Sequence, residues 1–202
     1  MEADRRVYVL RHGVTATNQR PDFIGGLEPQ LEILPAGREQ LEAAAPRLLS
    51  RDERIRSLKR IFVSPTLRAK QSAEAFAARA GMEVTLIEDD RLREIDMGDF
   101  TGKSRSEVFT PEVRASMDQL GEHYRPPRGT TRAELGMQMY SWLDSRTEAL
   151  TLGVSHVNAI RALIHRVLGV HAIDPRSMQA WNGHAAVFDH DGKKWMFHGF
   201  NW

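Results

Sequence analysis

The sequence contains no cysteine among its 202 residues. Disulfide bonds, thiol catalysis and cysteine-ligated metal centres are therefore excluded. The absence of cysteine fits a reducing compartment, and we expect a cytoplasmic protein. No run of about eighteen apolar residues occurs either, so we expect no membrane-spanning helix and no membrane partner.

An excess of charge of one sign is also missing. The formal net charge is +1, from 28 Lys and Arg residues against 27 Asp and Glu residues. Without a strongly basic surface or an interleaved basic and aromatic run, we expect no nucleic-acid partner. The length and the ordinary composition predict a single globular domain over residues 1–202 and leave a homodimer open as the oligomeric state.

Short apolar runs alternate with amphipathic segments along most of the chain. The runs that predict strands are Arg6–Leu10, Arg60–Val63, Glu83–Ile87 and Ala149–Ser155. Predicted helices cover 34–50, a segment that stops at Gly81, 132–145 and 158–170, and a hairpin turns at Asp191–Gly192. This alternation is typical of an α/β domain with a mostly parallel sheet.

Prolines and a loop-rich region interrupt this alternation. Pro46 lies inside the first predicted helix, where it predicts a kink or an early end. Ser64 and Pro65 predict the N-cap and the first residue of the second helix. The region from about 104 to 132 breaks the pattern, and we expect it to form a lid or a substrate-binding insertion.

Polar side chains follow the predicted strands at the point where each strand ends. Arg11 and His12 come directly after the first strand, and His156 comes directly after the fourth. Arg68 lies in the first turn of the second helix, and Glu94 lies in the irregular stretch after the third strand. Because ligands of open α/β sheets bind outside the carboxyl ends of the strands, we expect these side chains to share one rim of the sheet.

The residue types at this rim suit a phosphoryl group. Two guanidiniums offer planar charged forks for phosphate oxygens, and they disfavour protonation of a nearby imidazole. A neutral His12 could accept the phosphoryl group covalently, and Glu94 could protonate the leaving oxygen. Gly13 would let the backbone approach the bound group closely, and His156 would add a donor at a helix N-terminus.

The motifs around these residues resemble those of the histidine phosphatases, also called the phosphoglycerate mutase superfamily. LRHGVTATN is similar to the family's R-H-G-x-T-x-x-N signature, and FVSPTLRAKQSAE is similar to its S-x-x-x-R segment. LREIDMGDFTG is similar to its glutamate loop, and GVSHVNAIRAL is similar to the segment with the second histidine. The four motifs occur in the family's order and together cover the chain from about Arg6 to Phe197.

This resemblance implies a three-layer α/β/α sandwich and a role for each matched residue. His12 would be the nucleophile that becomes phosphohistidine, and Glu94 would be the proton donor. The residues implied to hold the phosphoryl group are Arg11, Arg68 and His156. The family needs no metal and no organic cofactor, so we expect neither, and the implied partner is a small phosphorylated metabolite.

The resemblance is weaker for the residues that would contact the rest of the substrate. Thr15 and Asn18 match family positions that line the pocket, and we add Val157, which stands where the family commonly has glycine. The lid reads PPRGTTRAEL, without the Gly-Glu-Ser that commonly follows a proline there. These departures concern substrate recognition, so the resemblance implies a reaction class rather than a named substrate.

The predicted lid carries a cluster of arginines, Arg125, Arg128 and Arg132. We expect them, and Arg128 in particular, to bind a second anionic group of the substrate, such as a carboxylate or another phosphate. A solvated basic loop is the alternative interpretation.

Three other functions remain as alternatives to a phosphatase. Phosphoglycerate-mutase-type transfer is disfavoured by the short insertion at 104–132, because the mutases tend to have a longer one. A metal site made of His12, His156 and Glu94 is disfavoured because Arg11 and Arg68 would repel a divalent cation. A non-catalytic module that binds a phosphorylated ligand is disfavoured because the nucleophile and the acid are both present.

Overall fold

The computed structural model describes residues 4–170 and 178–202. Its strands are β1 (Arg5–Arg11), β2 (Arg60–Val63), β3 (Thr85–Glu88), β4 (Leu150–Ser155), β5 (Ala185–His190) and β6 (Trp195–Gly199). They form one six-stranded sheet in the order β3-β2-β4-β1-β5-β6. The pairs β2–β3, β2–β4 and β1–β4 are parallel, and the pairs β1–β5 and β5–β6 are antiparallel. The predicted α/β fold with a mostly parallel sheet and a terminal hairpin is confirmed.

Helices cover both faces of this sheet. The α-helices of the described residues are α1 (Pro35–Leu49), α2 (Leu67–Ala80), α3 (Arg105–Val108), α4 (Pro111–Leu120), α5 (Arg132–Asp144) and α6 (Val157–Leu168). Short 3-10 helices lie at Thr17–Gln19, Glu53–Ser57, Asp90–Leu92, Gly98–Phe100 and Gly121–His123. α1 and α2 pack on one face and α5 and α6 on the other, which gives the three layers of the sandwich. None of the described helices is long and apolar enough to cross a bilayer.

Strand β1 contributes to the hydrophobic cores on both faces of the sheet. Tyr8 and Leu10 belong to the core beneath α1 and α2, whereas Val7 and Val9 belong to the core beneath α5 and α6. Successive side chains of a strand point to opposite faces, so a strand buried on both faces needs an unbroken apolar run. Residues 7–10 of the strand are therefore fully buried, and the functional side chains begin at Arg11, its last residue.

Two local predictions are wrong, namely an early end of α1 at Pro46 and a start of α2 at Pro65. Pro46 does not shorten α1, because it lies on the exposed side of the last turn and little helix follows it. α2 begins at Leu67 rather than at Pro65, and the residue before it, Thr66, makes no side-chain cap. Ser64 does not cap the helix because its hydroxyl is fully buried and hydrogen-bonds to a histidine.

The helices α3 and α4 occupy the predicted insertion at 104–132. α4 has no buried residue, and Gly121 follows it with a φ of 56°. An isolated antiparallel bridge between Phe23 and Ser104 joins the start of the insertion to the loop after β1. This contact holds the insertion beside the carboxyl end of β1, where the site lies.

Candidate active site

A cavity of about 390 Å³ opens at the carboxyl ends of β1 and β4. Its wall includes four of the five side chains predicted for the rim, namely Arg11, His12, Arg68 and Glu94. The fifth, His156, follows β4 directly and is the N-cap of α6. Segments that are far apart in the sequence therefore meet at one rim of the sheet.

His12 is buried in this cavity in the form that a nucleophile requires. Its side chain is 4% exposed, and its Nδ1 lies 2.7 Å from the carbonyl oxygen of Gly13. A carbonyl can only accept a hydrogen bond, so Nδ1 carries the proton and Nε2 keeps its lone pair. Burial, reinforced by Arg11 and Arg68, holds the pKa of His12 well below its ordinary value. The imidazole is therefore neutral at neutral pH.

The two arginines of the rim are held by backbone carbonyls. Arg68, which is 3% exposed, donates from Nη1 to Glu28 at 2.7 Å and from Nη2 to Gly26 at 3.2 Å. Arg11 donates from Nη1 to Ala180, and its buried Nε has no partner among the described residues. Burial lowers the pKa of Arg11 to about 10, so the side chain stays charged at neutral pH. Because neutral carbonyls hold both groups, their positive charge remains available to an anion.

Glu94 is a partly buried residue of the same cavity wall. Its Oε1 accepts from the backbone N–H of Ile95 at 2.7 Å, and its Oε2 accepts from that of Asn158 at 3.3 Å. Removal from water raises the pKa of Glu94 and outweighs these two donors and the nearby charges of Arg68 and Arg11. The carboxyl group therefore keeps its proton over a wider pH range than an exposed glutamate, as a proton donor should.

His156 is fully buried next to His12 and is not one of the residues that line the empty cavity. The two imidazole centroids lie 5.1 Å apart. Nε2 of His156 lies 2.8 Å from the hydroxyl of Ser64 and 3.5 Å from that of Thr66. Its Nδ1 has no partner among the described residues, and when it carries the ring proton it can donate a hydrogen bond to a ligand oxygen. Ser64 is thus a site residue that the sequence reasoning assigned to a helix cap.

Gly13 has a packing role in the structure, and its predicted role in ligand approach stays a prediction. It does not line the cavity, and a Cβ at this position would lie 2.5 Å from the carbonyl oxygen of Gly37 and 2.8 Å from Cδ2 of Leu41. Glycine is required here because the end of β1 packs directly against α1. The backbone N–H of Gly13 donates to the hydroxyl of Ser72 at 3.0 Å, so it is not free to bind a phosphate.

Thr15, Asn18 and Val157 all line the cavity. Asn18 accepts from the backbone N–H of Thr15 at 3.1 Å, so its amide oxygen is held in place. Asn182, which the sequence reasoning missed, donates to the carbonyl of His12 at 2.8 Å and lies 3.5 Å from Asn18. No local motif marks Asn182, because its importance comes from a contact between the two ends of the chain.

The lid arginines differ from the prediction. Arg132 lines the cavity, but Arg128 does not. The side chain of Arg128 is 84% exposed and pairs with Asp99, and Arg125 pairs with Glu134. Arg128 therefore does not face the cavity, and its predicted contact with the substrate stays a prediction that this position does not favour. A cluster of arginines in a loop does not indicate which of them face inward.

The charge of the cavity wall favours an anion. Six arginines and two glutamates line the cavity, among the residues that the structure describes. Over the same residues, no group of three or more His, Asp or Glu side chains is placed to hold a metal ion. A largely parallel α/β sheet with a neutral histidine and two arginines at its strand ends is an arrangement suited to a phosphoryl group.

Comparison with known proteins identifies the family. Residues 7–202 match the model of the histidine phosphatase superfamily (branch 1), and the chain belongs to that superfamily. The resemblance drawn from the four sequence motifs is therefore confirmed over nearly the whole chain.

Relatives within the superfamily are named for both phosphatase and mutase activity. The chain is 30% identical to the "Probable phosphoglycerate mutase GpmB" of Yersinia pestis, over 96% of this chain and 89% of the relative. A mycobacterial glucosyl-3-phosphoglycerate phosphatase has a similar structure, with a TM-score of 0.79 at 22% identity over 98% of both chains. So does an Entamoeba histolytica phosphoserine phosphatase in complex with 3-phosphoglyceric acid, with a TM-score of 0.81 at 19% identity over 98% of this chain and 97% of that one. These findings support a phosphatase or mutase enzyme.

Proposed function

We propose that the protein is a phosphomonoesterase that hydrolyses a small phosphorylated metabolite through a phosphohistidine at His12. The supporting observation is the state of His12, which is neutral and protonated on Nδ1 and lies in the same cavity as two charged arginines and a carboxyl group of raised pKa. That combination supplies a nucleophile, an anion clamp and an acid within one site.

The first chemical step transfers the phosphoryl group to the protein. Nε2 of His12 uses its lone pair to form the N–P bond, while the bond between phosphorus and the ester oxygen breaks. Glu94 gives its proton to the departing oxygen, so the alcohol leaves neutral and the carboxyl group becomes a carboxylate. Arg11 and Arg68 stabilise the negative charge that spreads over the phosphoryl oxygens in the transition state.

The second step returns the protein to its starting state. The carboxylate of Glu94 takes a proton from a water molecule as the water oxygen attacks phosphorus. The N–P bond breaks, inorganic phosphate forms, and Nε2 of His12 regains its lone pair. Glu94 has then regained its proton, and His12 has regained its lone pair.

His156 supports both steps as a hydrogen-bond donor. If the hydroxyl of Ser64 donates to Nε2 of His156, then Nδ1 carries the proton and can donate to a phosphoryl oxygen. The lowered pKa of His156, caused first by burial, keeps the ring neutral. A neutral ring carries its proton on one nitrogen only, and a hydrogen bond donated by Ser64 to Nε2 would place that proton on Nδ1.

Replacement of the nucleophile tests the proposal. His12→Ala should abolish turnover of p-nitrophenyl phosphate and leave the thermal unfolding midpoint within a few degrees of the wild type. Quenched reactions with ³²P-labelled substrate should trap acid-labile label on the wild-type protein and none on the variant. His184→Ala is the matched control, because His184 is partly buried but does not line the cavity. Wild-type activity in His12→Ala would refute the proposed function.

A phosphoglycerate mutase is the second candidate, and the name of the Yersinia pestis relative favours it. A mutase must pass the phosphoryl group to a hydroxyl and exclude water, whereas Asn18 and Arg20 on this cavity wall are exposed. Product analysis with 3-phosphoglycerate separates the two. A phosphatase releases one equivalent of inorganic phosphate, and a mutase forms 2-phosphoglycerate with almost none.

A further inference from the structure

The cavity is larger and more apolar than a phosphoryl group requires. Beyond the rim residues, its wall includes Phe23, Met97, Phe109, Met117 and Tyr124, all of them partly buried. A volume of about 390 Å³ lies within the range of sites that hold a complete organic ligand. An apolar wall of this kind stabilises a complex when apolar atoms of the ligand cover it and remove it from water. The part of the substrate beyond the phosphate should therefore be rich in carbon.

Two pairs of stacked side chains form the outer edge of this wall. Cζ of Arg20 lies 4.1 Å from the ring centroid of Phe23, and Cζ of Arg105 lies 5.8 Å from that of Phe109. All four residues line the cavity, and we call them the Arg–Phe edge. Phe109 also packs edge-on against Phe100 at 6.3 Å, which restricts the orientation of its ring.

Backbone hydrogen bonds hold the two pairs side by side. Ile24 donates to Lys103 at 3.0 Å, and Gly102 donates to Ile24 at 2.9 Å. The N–H of Arg105 donates to the carbonyl of Asp22, next to the bridge described above. The loop after β1 and the start of the insertion therefore form a short antiparallel ladder. These backbone hydrogen bonds fix the position of the Arg–Phe edge.

The Arg–Phe edge also carries charge that the phosphoryl group does not need. Neither Arg20 nor Arg105 pairs with a carboxylate among the described residues, and both are exposed. A guanidinium held over a ring by a cation–π contact can still donate its N–H groups to an anion. Arg11 and Arg68 already serve the phosphate, so the charge at the edge is left for another group.

We propose that the Arg–Phe edge is a subsite for the leaving alcohol, and that this alcohol has a flat, carbon-rich body that ends in a second anionic group such as a carboxylate. The proposal rests on the proposed phosphatase function and names its substrate class. It replaces Arg128, which is exposed and paired with Asp99, as the source of the contact with a second anion.

Matched esters separate the two parts of this proposal. Ethyl, benzyl and 4-carboxybenzyl phosphate all release primary alcohols, so their kcat/KM values differ mainly through contacts with the alcohol. Benzyl phosphate should exceed ethyl phosphate by roughly tenfold or more, as burial of one ring predicts. The carboxylate should add about threefold to fivefold at low salt, as a partly exposed ion pair predicts.

Two arginine variants provide the matched control. Arg105→Gln should remove the advantage of 4-carboxybenzyl over benzyl phosphate. Arg114→Gln should keep it, because Arg114 stacks on the same ring at 5.7 Å but does not line the cavity. Phe109→Ala should reduce the preference for benzyl over ethyl phosphate, with the unfolding midpoint measured to confirm that the variant folds.

Three results would overturn the proposal: equal kcat/KM for ethyl and benzyl phosphate, no gain from the carboxylate, or equal effects of the two arginine variants. A failure of the proposed function looks different, because no ester would then be hydrolysed. In that case calorimetry with ethylphosphonate, benzylphosphonate and 4-carboxybenzylphosphonate decides the matter. Tighter binding along that series supports the subsite, and equal binding refutes it.

Discussion

The role assigned to Glu94 predicts a specific dependence on the leaving group. Glu94→Gln removes the proton donor but keeps the size of the side chain. A positioned general acid contributes about 10² to 10⁴ in rate when the leaving group needs the proton. At 1.36 kcal/mol for each factor of ten, this is about 3 to 5 kcal/mol of transition-state stabilisation. Benzyl phosphate should lose the full factor, whereas p-nitrophenyl phosphate, whose phenolate leaves unprotonated, should lose less than about tenfold.

The hydrogen bonds of Glu94 determine how far this variant disturbs the fold. Both carboxylate oxygens accept from backbone N–H groups, those of Ile95 and Asn158. A glutamine amide has one oxygen, so its NH₂ group would face one of these donors, at a cost of about 1 to 3 kcal/mol. The raised pKa of Glu94 means that the buried charge itself disfavours the folded state above that pKa, and the neutral amide relieves this. The two effects oppose each other, and we expect a small change in the unfolding midpoint.

The pH dependence gives the same prediction a second readout. Glu94 must be protonated to donate, so kcat for benzyl phosphate should fall as the pH rises through its raised pKa. The pKa of His12 lies well below its ordinary value, so no acidic limb should occur near the ordinary histidine value of about 6.5. In Glu94→Gln the alkaline limb should disappear. Equal losses with the two substrates, or an unchanged limb in the variant, would refute the role of Glu94 as the acid.

Two further variants test residues behind the cavity wall. Ser64→Ala removes the hydroxyl that lies 2.8 Å from Nε2 of His156, and we expect kcat to fall roughly tenfold with KM nearly unchanged; a normal kcat would show that the tautomer is set in another way. Gly13→Ala places a Cβ 2.5 Å from the carbonyl oxygen of Gly37, and overpacking of about 1 to 3 kcal/mol should lower the unfolding midpoint by roughly 2 to 12 °C. An unchanged midpoint together with a raised KM would instead support the predicted role of Gly13 in close approach of the ligand.

The sequence predicts the fold and the centre of the site because both depend on local patterns. The apolar run at residues 7–10 of β1 is unbroken because the strand is buried on both faces there, and charged side chains occur only at the two ends of the strand. Arg11 and His12 therefore mark the carboxyl edge of the sheet without any knowledge of the neighbouring strands. The order of the strands in the sheet then brings His156 to the same edge, because β4 is parallel to β1.

The residues that the sequence reasoning misplaced depend on contacts between distant segments. Ser64 resembles a helix cap in its local sequence, but its hydroxyl hydrogen-bonds to His156, which directly follows β4. Gly13 resembles a phosphate-loop glycine, but the carbonyl of Gly37 determines why it is needed. Arg128 has the charge of a substrate-binding residue and is nevertheless paired with Asp99 outside the cavity. In each case the local residue type is compatible with several partners, and the packing of the sheet against its helices selects one.

The acid and the nucleophile owe their opposite shifts to one physical cause. Removal from water disfavours a charge of either sign, so the same burial lowers the pKa of His12 and raises that of Glu94. The arginines act in one direction only: they lower both pKa values, which helps the histidine stay neutral and opposes protonation of the glutamate. Burial must therefore outweigh the arginines at Glu94 for the acid to keep its proton. A substrate whose carbon-rich body covers the apolar wall would exclude more water from this carboxyl group, and so would favour its protonated form at the moment when the leaving oxygen needs it.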